Sequence, residues 1–506
     1  MTSTTTGVVV DLPMPQWRAS VVARVVEGQR FAGVYCTHRG DTAQLHALLV
    51  GDNGVHCLRA TLTASDDGPL TYPALTADVP AAFWYERALA DLSGVVPSGH
   101  PRLDPLLLPR EPGQPSPRPG HAEQAAMDRH VHSRATERHG PIDVRGPGVF
   151  SLPLGPVRSG VYESIEFLIE TAGEDIPHMN IRPHYKHRGI AKRFEALSVS
   201  DGILVAERVE GIASVAHALA YAHAVETLTD VAPPRRAQLI RVVHAELERI
   251  TNHLDVVIRL CDAAGLGVPT ARFGWHKESI MRLVSALCGN RFGRSVVCAG
   301  GVAAEPRIDT ATVSERLASI VARIGADRHT LMGDATFLDR VRNTGRLDNR
   351  LAASHGAVGP VGRGSGCNDD VRQRPYDGYA ELPPVAAAVY DTGDALARLR
   401  VRWDEIDTAA ALIRRACDSL LTAADEPLNV AVPHDADGFA VGWAESPQGE
   451  VLYALELRRG AIGRCFARTA SLHNMLLFHD VFGGDIFTDF PFIEASFGLC
   501  YAGVAM

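Results

Sequence analysis

The amino-acid sequence predicts an α+β protein with a small N-terminal α/β unit, a linker and a larger, mainly helical unit. Three observations predict this order. Short apolar runs separated by Gly and Asp fill residues 1–112, Pro, Gly, Arg and His dominate residues 113–148, and long helical patterns fill most of residues 149–506. A chain of 506 residues is long enough for several domains at roughly 100 to 200 residues each.

The N-terminal unit contains apolar runs at residues 31–37, 45–50 and 57–62. They are short, rich in Val, Leu and Ala, and bounded by turn residues, as is typical of strands. Strands paired with one or two helices are therefore expected in residues 1–112.

Residues 113–148 lose the apolar periodicity, which indicates a linker. The segment contains His121, His130, His132 and His139. Their spacing follows no regular ligand pattern, so a solvated tether is favoured over a metal site.

The unit over residues 149–506 begins with a strand-like pair at residues 149–171. Apolar residues at spacings of three and four then predict helices, with Pro233 and Pro234 at a helix start and Gly265 at its end. The predicted helices cover residues 203–229, 234–264, 275–287, 310–324, 391–423 and 467–481.

Composition excludes several classes of function. The formal net charge of −9 removes the electrostatic basis for coating nucleic acid. No run reaches the roughly 18 apolar residues that span a bilayer, and residues 1–7 lack the features of a signal peptide. The nine cysteines are scattered and include no Cys-x-x-Cys pair, so reduced thiols in a cytoplasmic chain are expected, without an iron-sulfur cluster or zinc of its own.

One predicted helix carries polar residues in an apolar setting. Glu210, Ala213, His217 and Tyr221 recur at spacings of three and four and would share a face. Because burying a carboxylate and an imidazole is costly unless they are paired, this stripe indicates either a functional cavity or a satisfied core network. The residues alone leave both open.

Three further segments contain residue patterns that could indicate a functional site. Glu246, Arg249 and His253 fall on one helix face, which predicts an internal ion-pair network or a proton relay. The surrounding sequence HAELERITNH does not have the His-Glu-x-x-His spacing of a zinc protease. The stretch HYKHRG at residues 184–189 is typical of a surface turn. The glycine-rich residues 356–366 lack the Lys-Ser/Thr pair of a P-loop and predict a tight loop packed against a neighbouring backbone.

Taken in order, these segments resemble one family, the large subunit of group 4 nickel-iron hydrogenases of the formate hydrogenlyase type, and its relative, the 49 kDa subunit of complex I. Residues 80–109 are similar to the signature end of the complex I 30 kDa subunit, which is fused N-terminally in that type. The other matching motifs are HRG at 187–189, the ERV…AH…AVE segment at 207–226, ER…NHL at 248–254, AGGV at 299–302, GAVGPVGRGSGCNDDVRQRPYDGY at 356–379, ESPQGE at 445–450 and DFPFIEAS at 489–496. The resemblance covers nearly the whole chain and implies a hydrogenase-large-subunit fold for residues 149–506.

The chain departs from the hydrogenases at the metal ligands. In the family two Cys-x-x-Cys pairs hold nickel and iron; here Glu210 and Ala213 stand at the first pair, and Cys500 and Gly503 at the second. Since soft thiolates provide most of the affinity for nickel, we expect no nickel-iron centre and no hydrogen turnover.

The chain also departs from the quinone site of complex I. An acidic residue at the position of Glu210 agrees with complex I. Arg158 and Tyr162 stand where complex I has two histidines, and Gly211 stands where it has the tyrosine that contacts the quinone head group.

The resemblance implies a vacated cavity with candidate catalytic residues that exchange protons. These residues are Arg158, His187, Arg188, Glu210, His217, Asp262 and Cys500. None is a redox centre, so electrons would come from an iron-sulfur cluster in a partner subunit, and this chain would bind no cofactor itself.

The implied function is a subunit of a membrane-associated, complex I-like or formate hydrogenlyase-like oxidoreductase. Its expected partners are a small iron-sulfur subunit and membrane ion-translocating subunits on the cytoplasmic face, with a small molecule or quinone as substrate, no nucleic acid, and NAD binding left open. The alternatives are a non-catalytic assembly scaffold and an active hydrogenase with an unusual metal site.

Overall fold

The computed structural model describes residues 8–39, 42–52, 54–63, 70–109, 146–158, 161, 163–374, 376–423 and 425–506. The four histidines of the predicted linker lie outside the described residues, as does Tyr162. The linker prediction for residues 113–148 therefore stays a prediction.

The N-terminal unit is built on a four-stranded sheet in the order β1-β4-β3-β2, with β1 parallel to β4 and the other neighbours antiparallel. The three predicted strands are confirmed and are longer than the apolar runs. The elements of this unit are β1 Val9–Asp11, α1 Met14–Val26, β2 Arg30–Arg39, β3 Thr42–Gly51, β4 Gly54–Thr63, β5 Thr71–Pro73, α2 Phe83–Ser93 and β6 Val96–Ser98.

Both faces of this sheet are covered, which explains why β3 is buried along almost its whole length. One face packs on the two helices through a core that includes Trp17, Leu45 and Leu89. The other face packs on a C-terminal sheet, where Leu48 and Val50 share a cluster with neighbours from that sheet. The two units of the chain are thus joined by a continuous apolar interface.

The C-terminal unit is mainly helical, as predicted, with small separate sheets. Its helices are α3 Ile190–Phe194, α4 Val199–Ala206, α5 Ser214–Thr229, α6 Arg235–Ala263, α7 Gly267–Cys288, α8 Thr310–Met332, α9 Ala335–Val341, α10 Asn349–Ser354, α11 Gly359–Arg363, α12 Ala395–Leu420, α13 Ala470–Met475, α14 Phe490–Phe497 and α15 Tyr501–Ala505. Its strands are β7 Phe150–Leu154, β8 Glu166–Thr171, β9 His178–Arg182, β10 Val297–Cys298, β11 Gly301–Val302, β12 Gly438–Ser446, β13 Gly449–Arg458 and β14 Ala461–Arg468. Within the described ranges, no helix combines the length and the apolar character needed to cross a bilayer.

Helix α6 is the centre of this unit and packs against α7 and α12. Its predicted bounds are confirmed: Pro234 precedes the first turn, and Gly265 follows with a left-handed backbone. Proline at a helix start loses no hydrogen bond, and glycine adopts positive φ without a side-chain penalty, so both ends are determined locally.

Two predicted helices are wrong in part. Residues 203–229 do not form one helix, because turns at residues 207–212 separate α4 from α5 and place Glu210 before the helix rather than on it. Residues 467–481 begin as the end of β14, and the helix starts only after Thr469, whose hydroxyl accepts a hydrogen bond from Leu472 N. Both departures bring a polar side chain to Gly503 near the end of the chain: Glu210 lies against its backbone, and the Thr469 hydroxyl donates to its carbonyl oxygen.

A close approach between β12 and α5 positions this region. A Cβ at Gly442 would stand 2.2 Å from Ala220 O and 2.2 Å from Ala224 N, so only glycine allows the strand to lie this near the helix. Gly442 pairs with Tyr453 on β13. Because cross-strand partners share a face of the sheet, the Tyr453 side chain also points toward α5.

Candidate functional site

The C-terminal segment provides the first component of the site. After α14, Gly498 turns the chain with a left-handed backbone, and buried Cys500 precedes α15. The Cys500 thiol donates to Glu163 Oε1 at 3.2 Å, and Ala502 N donates to Glu163 Oε2 at 3.0 Å. One carboxylate therefore binds both the thiol and the first turn of the last helix.

Glu210 provides the second component. Its side chain is fully buried, and neither carboxyl oxygen has a hydrogen-bond partner among the described residues. A Cβ at Gly503 would stand 1.7 Å from Glu210 Oε1, so the carboxyl group lies directly on the backbone of the last helix. The structure thus brings Glu210 and Cys500 together, although they come from opposite ends of the C-terminal unit.

His217 and Tyr453 complete the group. His217 Nε2 stands 3.4 Å from Glu210 Oε2, and His217 Nδ1 is 2.7 Å from the Tyr453 hydroxyl. His217 and Tyr453 are both fully buried. We name Glu163, Glu210, His217, Tyr453 and Cys500 the acid-thiol cluster.

Burial determines the protonation of two members of this cluster. It raises the pKa of Cys500 well above its usual value, and the charges of Glu210 and Glu163 raise it further. Burial likewise raises the pKa of Tyr453, with smaller contributions from Cys465 and Glu210. The cluster therefore contains a neutral thiol and a neutral phenol beside two carboxyl groups.

Arg188 holds the two loops of the cluster together. Its guanidinium donates to Arg208 O and Val209 O on the loop that carries Glu210, at 2.9 and 2.7 Å, and to Ala502 O at 2.9 Å. His187 Nδ1 lies 2.7 Å from Ala505 O, and burial lowers the pKa of His187. Both residues bind backbone carbonyls near the cluster and do not contact the Glu210 carboxyl group.

Arg158 lies beside the cluster but is already paired. Its guanidinium contacts Glu494 at 2.5 and 3.1 Å and stacks over Phe167 and Tyr501, with ring centroids at 5.2 and 6.0 Å. The charge of Arg158 is therefore balanced by Glu494 and not by Glu210.

The expectation for Asp262 is wrong. The residue lies in the last turn of α6 with an exposed side chain, because the buried face of that turn is formed by Leu260 and Cys261. Asp262 does not line the acid-thiol cluster.

The Glu210 side chain lies against Gly503, and neither of the two cavities described next is lined by a member of the acid-thiol cluster. Two cavities are found elsewhere. One of about 90 Å³ is bordered by Gly211, His244 and Glu248. A larger one, of about 510 Å³, lies between the N-terminal unit and strand β9, away from the cluster. The described part of the chain brings no three His, Cys, Asp or Glu side chains into an arrangement for metal.

The predicted face of Glu246, Arg249 and His253 is confirmed as part of a buried ion-pair network. Arg249 Nε lies 3.0 Å from Glu246, and His253 Nε2 lies 2.8 Å from Glu405. The other members are Arg363, Asp370, Arg372 and Glu445. Burial, followed by the charge of Asp370, raises the pKa of Glu445 to about 7.

Two members of the acid-thiol cluster were missed by sequence reasoning. Glu163 directly follows Tyr162, one of the residues compared with the quinone site of complex I, so its place in the sequence could have indicated a role in the site. Tyr453 lies on an apolar strand, and its role depends on the close approach at Gly442. No pattern along the chain indicates that contact.

Comparisons with known proteins agree with this architecture. Residues 11–119 match the family "Respiratory-chain NADH dehydrogenase, 30 Kd subunit", and residues 268–505 match "Respiratory-chain NADH dehydrogenase, 49 Kd subunit". The chain therefore carries a 30 kDa-like and a 49 kDa-like complex I domain in one polypeptide. The first of these domains carries the four-stranded sheet, and the matched part of the second carries Tyr453 and Cys500.

Relatives with both domains extend the likeness over most of the chain. Formate hydrogenlyase subunit 5 of Escherichia coli (strain K12) is 28% identical over 471 residues, which cover 90% of this chain and 81% of the relative. An NADH-quinone oxidoreductase subunit of Acinetobacter baylyi is 28% identical over 450 residues, covering 83% and 75%. Hydrogenase-4 component G of Escherichia coli (strain K12) is 27% identical over 443 residues, covering 85% and 75%.

A solved structure shows the same fold. A chain of the membrane-bound sulfane sulfur reductase, an archaeal respiratory membrane complex, superimposes with a TM-score of 0.67 at 23% identity, covering 72% of this chain and all of that one. The predicted α+β architecture and the resemblance to this group are confirmed.

Proposed function

We propose that this chain is a proton-transferring subunit of a complex I-like oxidoreductase. In this role Glu210 delivers a proton to an acceptor that is reduced at the small cavity bordered by the next residue, Gly211. The observation that carries the proposal is the Glu210 carboxyl group, which is fully buried with both oxygens lacking a hydrogen-bond partner among the described residues. Such burial costs about 2 to 7 kcal/mol, so the group is retained for chemistry and not for stability.

The electrons come from an iron-sulfur cluster in a small partner subunit. Support comes from the relatives, whose names describe a formate hydrogenlyase and an NADH-quinone oxidoreductase, and from the respiratory membrane complex that shares the fold. Membrane ion-translocating subunits complete the assembly, and the chain lies on the cytoplasmic face of the membrane through these partners.

The chain does not hold a nickel-iron centre in this proposal. The residues present do not fit one, because the Glu210 carboxyl group fills the space against Gly503 where thiolates would converge. One thiol remains, that of Cys500, and it is hydrogen-bonded to Glu163. A carboxylate and one thiol lack the soft donors that favour nickel, so no step passes through this metal.

The acceptor is a small oxidised molecule of the quinone class, which takes up two electrons and two protons. Glu210 supplies one proton and, after it is reprotonated from solvent, also supplies the second. The cavity of about 90 Å³ beside Gly211 is smaller than an ordinary ligand pocket of roughly 300 Å³ or more. A partner surface therefore completes the acceptor site.

The test is the purified native complex carrying Glu210→Gln. Loss of a positioned proton donor is expected to lower turnover about 100-fold or more with unchanged subunit composition. Glu170→Gln is the control, because Glu170 is also buried but bonds Ser151 at 2.7 and 2.8 Å away from the cluster.

Two outcomes favour the alternatives. Full activity of the Glu210→Gln complex indicates an assembly scaffold. Stoichiometric nickel in the wild-type complex, measured by elemental analysis, indicates an active hydrogenase with an unusual metal site.

A further inference from the structure

The larger cavity, of about 510 Å³, lies between the N-terminal unit and strand β9. This volume falls within the roughly 300 to 1,000 Å³ that is ordinary for sites of small molecules. Its wall contains the apolar side chains of Phe83, Trp84, Leu106 and Met179 and the cationic side chains of Arg87, Arg102 and Arg182. A ligand complementary to this wall has an apolar body and a negative charge.

Asn180 lines the cavity with an amide group that is bonded at one end. The residue is 6% exposed, and its Oδ1 accepts from Arg102 Nη2 at 3.0 Å. Because a guanidinium group only donates hydrogen bonds, this contact determines which end of the amide is the oxygen. The Nδ2 group at the other end is buried without a hydrogen-bond partner among the described residues. An unpaired buried donor is costly, and an acceptor bound in the cavity would satisfy it.

His178 provides a second polar group on the same side of the cavity. It lies two residues before Asn180 on β9, so the two side chains share a face of the strand. His178 Nε2 is also buried without a hydrogen-bond partner in the described part of the chain. A neutral imidazole can donate from Nε2, so both residues can give a hydrogen bond to one bound group.

Among the described residues of the wall, cations outnumber carboxylates. Asp104 accepts from Arg87 at 2.9 Å and from Arg102 at 2.7 Å, so two guanidinium groups share one carboxylate. Arg182 is paired separately, with Glu166 at 2.9 Å. Burial lowers the pKa of Arg87; the charge of Asp104 opposes this effect, and the charge of Arg102 adds to it. A negative group in the cavity would therefore reduce the repulsion between the two arginines.

We propose that this cavity binds a small organic carboxylate whose oxygens accept from Asn180 Nδ2 and His178 Nε2 and whose apolar body lies against Phe83 and Trp84. A carboxylate suits the site because its two oxygens and single charge match two unpaired groups beside a shared Asp104. The site is separate from the acid-thiol cluster, so the inference does not depend on the role of Glu210.

The test is photolabelling of the purified native complex with 4-benzoylbenzoate, an aromatic carboxylate that attaches to neighbouring C–H bonds on irradiation. Peptide mapping by mass spectrometry is expected to find saturable label within residues 83–109 and 178–184. The neutral analogue 4-(hydroxymethyl)benzophenone should label these segments about tenfold more weakly, because it lacks the charged acceptor. Equal labelling by the two probes, or label confined to other segments, would overturn the inference.

Competition separates an organic carboxylate from a simple inorganic anion. Unlabelled 2-naphthoate is expected to prevent labelling, whereas inorganic phosphate at the same concentration is expected to leave it in place. Displacement by phosphate as effective as by 2-naphthoate would show that the apolar wall is not recognised, and the proposal would fail.

Asn180→Asp tests the contact with Nδ2. The variant keeps an oxygen for Arg102 and replaces the unpaired donor by a negatively charged acceptor, so half-saturation of labelling should need about tenfold more probe. Asn368→Asp is the control, because the exposed Asn368 also accepts through Oδ1, from Gln373 at 3.5 Å, and does not line the cavity. Equal half-saturation in Asn180→Asp and wild type would contradict the contact. The wild-type labelling and competition decide the proposal if Asn180→Asp fails to assemble.

Discussion

The carboxyl group of Glu210 lies on the backbone of Gly503, where a Cβ would stand 1.7 Å from Oε1. This contact joins the loop between α4 and α5 to the last helix of the chain. Glycine at position 503 makes the contact possible, and Glu210 fills the volume that a side chain there would need.

Gly503→Ala is therefore expected to destabilise the protein. The added methyl group overlaps the carboxyl group, and overpacking of a buried site costs about 1 to 3 kcal/mol of unfolding free energy, measured by denaturant unfolding. Gly211→Ala is the control, because a Cβ there meets no atom within 4 Å. Adding Glu210→Ala to Gly503→Ala should restore part of the loss; an unchanged loss in the double variant would show that the two residues do not interact.

Arg188→Ala is expected to release the two loops of the cluster from each other. Its guanidinium bonds three carbonyls on two segments, and hydrogen bonds from a charged group contribute about 1.5 to 3 kcal/mol. Amide exchange in residues 207–213 and 501–506 should accelerate at least tenfold by hydrogen-exchange mass spectrometry. Arg193→Ala, on the exposed side of α3, should leave both segments unchanged. Arg188→Lys should behave like Arg188→Ala, because an ammonium group lacks the planar fork.

Arg30 is expected to stabilise the interface between the N-terminal unit and the C-terminal unit. It contacts Asp369 at 3.0 Å and buried Glu450 at 2.8 Å. Arg30→Ala leaves Glu450 paired with Arg468 but removes a charged hydrogen-bond donor, and it should cost about 1.5 to 3 kcal/mol of unfolding free energy.

The comparison for Arg30 is Arg59→Ala, which removes an exposed pair with Asp11 at 2.7 Å. Solvent screening limits that loss to about 1 kcal/mol or less. Similar losses of unfolding free energy for the two variants would contradict a role of Arg30 in stabilising this interface.

Glu248 is expected to make stability depend on pH. Burial raises its pKa to about 8 from the ordinary 4.5, although Val215 N and Ala216 N donate to the carboxyl group. The folded state therefore holds a proton that the unfolded state releases above about pH 4.5. The resulting stabilisation is fully present below that pH and is lost as pH rises toward 8, by on the order of 1 kcal/mol per unit.

Glu248→Gln should remove this dependence, so the unfolding free energy of the variant relative to wild type should rise between about pH 5 and 8. Denaturant unfolding at a series of pH values measures it. Burial raises the pKa of the Glu445 carboxyl group to about 7. The difference in unfolding free energy between Glu445→Gln and wild type should therefore have the same sign over a narrower pH range. A constant difference between Glu248→Gln and wild type would show that Glu248 is ionised in the folded state throughout.

Elements with local causes were predictable from the sequence. Helix α6 follows from an apolar period bounded by Pro234 and Gly265. The tight loop at residues 356–366 follows from its glycines, and the structure confirms it: a Cβ at Gly359 would stand 2.0 Å from Gln448 O.

Elements with distant causes were not predictable. The continuous helix over residues 203–229 was expected because its residues favour helix. The chain turns instead at residues 207–212, where Arg188 binds two carbonyls and Glu210 reaches Gly503. Local propensity is worth tenths of a kcal/mol per residue, and such contacts exceed it.

The α+β class and the likeness to complex I-like and hydrogenase-like subunits follow from the amino-acid sequence alone, because the order of motifs can be read directly along the chain. The folded chain was needed to show that Glu163 and Tyr453 belong with Glu210, that Arg188 binds loops, and that Asp262 faces outward. These facts depend on contacts between segments that are distant in the sequence, and only the packing of the folded chain determines those contacts.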